Sequence, residues 1–127
     1  MVPIKKLQKE HADGRRDIFA VKHTVEKTRR EMIFYVKGKA VLGNHYHTTF
    51  KEHVTLVSGA CTLIMQKLDK KGRPVGPIRK ENLKAPVLLT MPTHTAYAYV
   101  FHAPAILILR IWRSIYDERD INEYRLA

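Results

Sequence analysis

Apolar and polar residues alternate with a period of two along much of the chain. In "EHVTLVSG" the residues Glu52, Val54 and Leu56 fall on one face, and His53, Thr55 and Val57 on the other, the pattern of a half-buried strand. "DIFAVKHTV", "EMIFYVKG", "ACTLIMQKL", "APVLLTMP", "AYAYVFH" and "AILILRIW" are further runs rich in strand formers. They are punctuated by Pro92, Pro104 and the Gly/Pro-rich turn "DKKGRPVGP". About eight short strands with close turns and little helix predict a sandwich or small barrel. Only the tail, "RSIYDERDINEYRLA", is expected to form a helical turn or two, capped by Asp117 or Asp120. No repeat, low-complexity tract or linker divides the chain, so residues 1–127 are expected to form one domain.

Composition narrows this reading. Apolar residues make up 45% and charged residues 28% of 127 positions, which fits a soluble globular chain with a core. No apolar run is long enough to span a bilayer, and "MVPIKKLQKE" lacks the apolar segment of a secretory signal. A cytoplasmic location is the expectation, without membrane association. The single cysteine, Cys61 in "CTLIM", excludes an intrachain disulfide and reads as a small buried residue. The formal net charge of +11 favours anionic partners. Nucleic acid is one candidate, although no known nucleic-acid-binding motif supports it and a solvated basic surface explains the charge equally well.

The chemistry concentrates in "GNHYHTTFKEHVTLVSG", residues 43–59. His45 and His47 stand at i and i+2, which places both imidazoles on one face of an extended segment. Glu52, on the inward face of the next strand, can meet them inside a barrel. Two readings of this trio remain open. It is a facial ligand set for a divalent ion such as iron, manganese or nickel, or it is an acid–base apparatus working without a metal.

The spacing His45-x-His47, four residues, Glu52, six residues, Gly59 resembles the first motif of the cupins. "MPTHTAYAYVF" resembles the second motif through Pro92, with Tyr97 where a histidine is usual. A narrower resemblance is to the cupin dTDP-4-keto-6-deoxyglucose ketoisomerases. "DGRRDIF" is similar to their opening segment through Asp13 and Arg15, with Arg16 in place of a glycine. "GNHYHT" is similar to their histidine motif, and "YDERDINEYRL" to their tail through Tyr116, Asp117, Glu118, Asp120 and Tyr124.

The resemblance implies an all-β, single-domain jelly-roll cupin with a short helical tail, a nucleotide-sugar substrate and no cofactor. His45 would be the base and His47 would shuttle protons on oxygen. Arg15 would bind the diphosphate; Tyr97, which stands where the family has histidine, is expected from its own chemistry, as a neutral phenol, to donate to a ketone or enolate oxygen. Glu52 and Tyr35 would contribute to substrate binding. A homodimer is expected, with an N-terminal strand exchanged between protomers to cover exposed edges. If the site instead holds a metal, His45, His47 and Glu52 are its ligands. A third possibility is a barrel that binds sugars, nucleotides or nucleic acid without catalysis.

Overall fold

A computed structural model describes residues 6–21, 29–112 and 119–127. Eleven strands form two antiparallel sheets among these residues: β1 (Lys9–Ala12), β2 (Arg16–Val21), β3 (Arg29–Val36), β4 (Ala40–Tyr46), β5 (Glu52–Ser58), β6 (Ala60–Lys67), β7 (Arg79–Lys84), β8 (Val87–Met91), β9 (Thr95–Phe101), β10 (Ala105–Trp112) and β11 (Asn122–Glu123). One sheet runs β1-β2-β3-β10-β5-β8 and the other β11-β4-β9-β6-β7. The crossovers between sheets produce a jelly roll.

The period-2 pattern decides which side chains fill it. On β5, Glu52, Val54 and Leu56 are buried, as the alternation requires. Val36, Leu42, Leu63, Tyr99, Phe101 and Leu107 join them in one core. Cys61 is a free, buried thiol in that core, and burial pushes its pKa up to about 11. No helix among the described residues is long and apolar enough to cross a membrane.

The tail departs from expectation. Its described part, residues 119–127, contains a turn, the strand β11 and otherwise extended chain, but no helix; Tyr116, Asp117 and Glu118 lie outside the described residues. The edge of β4 takes Asn122 and Glu123 as partners, pairing them with Tyr46 and His45. Satisfying that edge offers backbone hydrogen bonds that a short helix would forgo.

Two glycines are fixed by geometry. Gly43 and Gly59 have φ of 97° and 91°. A β-carbon on Gly59 would lie 2.8 Å from Pro104 O and 2.9 Å from Ala105 Cβ. Gly59→Ala is therefore expected to lower stability by about 2–4 kcal/mol, from backbone strain and overpacking together. Urea denaturation is the check, and a loss below about 0.5 kcal/mol would contradict it.

Candidate metal centre

The site is built on a defect in β4. Leu42 pairs with Tyr99 and Gly43 with Ala98, but the next partner of the β4 chain is His45 with Tyr97. Asn44 is the extra residue of a β-bulge, with φ of 59°. The bulge resets the alternation, so Leu42 and His45 both line the interior although they are three apart. His47 follows two residues later on the same side. Tyr46 faces away, with its ring against Tyr124 and its hydroxyl filling the space beside Gly72.

The end of the chain holds this arrangement. Asn44 Oδ1 accepts from the backbone N–H groups of Leu126 and Ala127, and Asn44 O accepts from Tyr124 N. Asp120 is buried and accepts from the N–H and hydroxyl of both Thr48 and Thr49, at 2.6–2.8 Å. Burial opposes its charge, but the bonds from Thr48 and Thr49 prevail and hold the carboxyl well below the usual range.

His45, His47, Glu52 and Tyr97 meet in one cavity. His45 Nε2 lies 2.8 Å and His47 Nε2 3.1 Å from the Tyr97 hydroxyl, which donates to Glu52 Oε1 at 3.0 Å. His47 Nε2 and Glu52 Oε1 are 2.6 Å apart. The other ring nitrogens are committed to carbonyls. His45 Nδ1 donates to Gly43 O at 3.1 Å, and His47 Nδ1 to Asp120 O at 2.7 Å. Each commitment orients a ring with its Nε2 toward the common centre; in His47 that Nε2 carries a proton toward Glu52 Oε1 while no ion is bound, and losing it would free the lone pair.

Charges follow from the surroundings. Burial and the neighbouring His47 lower the pKa of His45. For His47 burial also disfavours the proton, yet Glu52 and the Asp120 carbonyl outweigh it and the pKa is raised. Burial, aided by the Glu52 carboxylate, pushes the Tyr97 phenol well above its ordinary value, so it stays a neutral donor.

These residues fit a divalent cation. The ligand atoms of His45, His47 and Glu52 all lie within 4.8 Å of one another. Two imidazole Nε2 atoms and a carboxylate converge there. Two nitrogens and a carboxylate oxygen form a facial ligand set with open positions.

The other candidates lie elsewhere. The Arg15 guanidinium is exposed, donates to Val41 O at 3.2 Å and pairs with Asp13, outside the cavity lining. Tyr35 is 45% exposed and packs edge-on against Phe19, also outside that lining. His94 and His102 contribute nothing to it. Arg16, which motif comparison leaves without a role, does line the cavity. Its phase is the available signal: Arg16 alternates with the buried Ile18 on β2.

No family model matches the chain, and no curated protein does. Solved structures match its shape. The capsular polysaccharide assembling protein CapF of Staphylococcus aureus is similar over 97% of this chain, with a TM-score of 0.78 and 15% identity. A tryptophan-to-tyrosine variant of the oxalate decarboxylase of Bacillus subtilis matches over 97%, at TM-score 0.69 and 13% identity. A Bacillus subtilis oxalate decarboxylase studied for its Mn(II) centres matches over 92%, at TM-score 0.67 and 12% identity. The chain covers 33%, 33% and 30% of these proteins respectively. The likeness is one of fold, and it is that of the cupins.

The expectation of a cofactor-free site is corrected by these findings. His45, His47 and Glu52 are grouped as residues that could hold a metal ion, and one protein of the same fold carries Mn(II) centres. Spacing alone could not show that both Nδ1 atoms are spent on carbonyls, which turns both Nε2 atoms toward Glu52 and Tyr97.

Proposed function

We propose that this protein is a metal-dependent cupin whose ion is held by His45 Nε2, His47 Nε2 and the Glu52 carboxylate. The convergence of these atoms within 4.8 Å carries the reading. The Mn(II) centres of the oxalate decarboxylase of like fold support it. A divalent ion there would act as a Lewis acid on a bound oxygen.

The chain's own groups supply the rest. Tyr97 offers an uncharged donor to an oxygen of the bound molecule, without the desolvation cost of a buried charge. Asp120 O and Gly43 O keep the two imidazoles oriented. Met32, Phe34, Leu42, Val54 and Leu107 exclude water from most of the remaining wall.

A sugar-nucleotide isomerase finds less support. The cavity is about 160 Å³, small for a nucleotide sugar when drug-sized ligands occupy roughly 300–1,000 Å³. Its wall is mainly apolar, and Arg15 is not part of it.

Equilibrium dialysis against Mn(II), Fe(II) and Ni(II) tests the metal reading. About one ion per chain is expected in the wild type, with affinity lost in His45→Ala. Wild-type protein that takes up less than about one ion per five chains at saturating metal would overturn it. Tyr97→His should raise affinity roughly tenfold or more, because the Tyr97 hydroxyl already sits against both Nε2 atoms and a third imidazole would complete the set. Competition against a chelator reads this directly.

A further inference from the structure

Arg16 is out of place by the rules that fill a core. It stands on the inward face of β2, in phase with buried Ile18. Its guanidinium carbon lies 5.3 Å from the centre of the Phe34 ring. Its Nε is buried without a hydrogen-bond partner, and among the described residues no acceptor meets its side chain. Glu52 is committed to His47 and Tyr97, and the Asp13 carboxylate binds only the backbone N–H of Arg16. A buried Nε without an acceptor is unfavourable, and the guanidinium at the cavity wall keeps N–H donors for a ligand.

The cavity describes that ligand. Arg16 and Phe34 line the cavity together with His45, Glu52 and Tyr97, and apolar side chains such as Leu107 make up much of the remainder. The volume of about 160 Å³ resembles that of an apolar protein cavity of roughly 150 Å³ that accepts benzene. One planar fork of N–H donors matches one carboxylate, whereas a phosphate dianion calls for more donors than this wall offers.

We infer that Arg16 is the anion anchor of the site, and that the site takes a small monocarboxylate whose apolar body, about the size of a six-membered ring, lies between Phe34 and the His45–His47–Glu52 cluster. This deepens the metal-dependent reading by naming a substrate class. The anchor itself does not require the ion. Arg16 is then a specificity-determining residue, and the stability lost by holding it unpaired is regained when the carboxylate binds.

Calorimetric titration with benzoate and its neutral counterpart benzamide tests this on metal-free and on Mn(II)-loaded protein. Benzoate is expected to bind both forms and raise their melting temperatures, and benzamide to bind at least about tenfold more weakly. Arg16→Met should weaken benzoate by about tenfold or more, leave Mn(II) stoichiometry unchanged, and raise the melting temperature of the ligand-free protein. Arg16→Gln, which keeps a polar group, should show the same loss of benzoate if the methionine variant folds poorly. Equal binding of benzoate and benzamide, wild-type affinity in either variant, or no benzoate binding at all would overturn the inference. Mn(II) binding without benzoate binding removes the anchor and leaves the metal reading intact. Arg16-dependent benzoate binding without Mn(II) uptake does the reverse.

Discussion

Asp120→Ala is expected to destabilise the protein by about 3–4 kcal/mol. The carboxylate accepts four hydrogen bonds from Thr48 and Thr49 and a fifth from Asn122 Nδ2 at 3.0 Å. Charge-assisted bonds contribute roughly 1.5–3 kcal/mol each when removed singly, and far less than their sum together. Two backbone N–H groups would also lose their acceptors. Asp120→Asn should recover only part of the loss, because its NH₂ end would face N–H and O–H donors. The effect should reach the site, since Asp120 O orients His47. Metal affinity should fall about 10–100-fold, as for other groups that orient a ligand. Urea denaturation and metal titration on the same samples measure both. A variant with full stability and weakened metal binding would separate the two roles assigned to Asp120.

The second large effect concerns His47. His47→Ala removes one of the three proposed ligands and should weaken metal binding by more than about a hundredfold, beyond the range seen for orienting groups. It also strands Glu52, which is 4% exposed, without its imidazole partner at 2.6 Å. Breaking a buried pair in this way costs roughly 3–5 kcal/mol. Adding Glu52→Gln should return much of that stability, because no buried charge then lacks a partner, while metal binding stays absent. A double-mutant cycle of unfolding free energies checks the coupling. Additive losses would mean that the pair is not coupled in the folded protein.

The legible parts of this fold are those set by periodicity. Glu52, Val54 and Leu56 share a face in the sequence, and all three are buried. The strand β7 escapes such a reading because "RKENLK" is polar at nearly every position, and it lies at a sheet edge with its residues mostly exposed. A hydrophobic pattern cannot reveal a strand that buries so little. The His45–His47 spacing shows that the imidazoles belong together. It does not show the bulge at Asn44, whose backbone conformation depends on tail residues some 80 positions later. The tail is expected to form a helical turn or two, whereas in its described part the open edge of β4 takes Asn122 and Glu123 into a strand. Arg15 attracts attention through motif resemblance, yet the inward phase belongs to Arg16. Local chemistry names the ligands, and only long-range pairing discloses what orients them.

That pairing bears on how the chain reaches its working form. His47 and the carbonyl that sets its tautomer are separated by 73 positions, and Thr48 and Thr49 meet Asp120 across similar spans. Closing such loops carries an entropic cost that must be met before the contacts reward it, and all-β topologies dominated by distant pairs fold slowly for that reason. His47 is not held in its observed orientation until the segment bearing Asp120 docks beside β4. On the metal-dependent reading, ion capture would fall at the end of folding, unlike a zinc finger, where the metal is what makes the chain fold. The tail would then act as a timing element, since a barrel without Asp120 in place would not yet present His47 to a cation in this orientation.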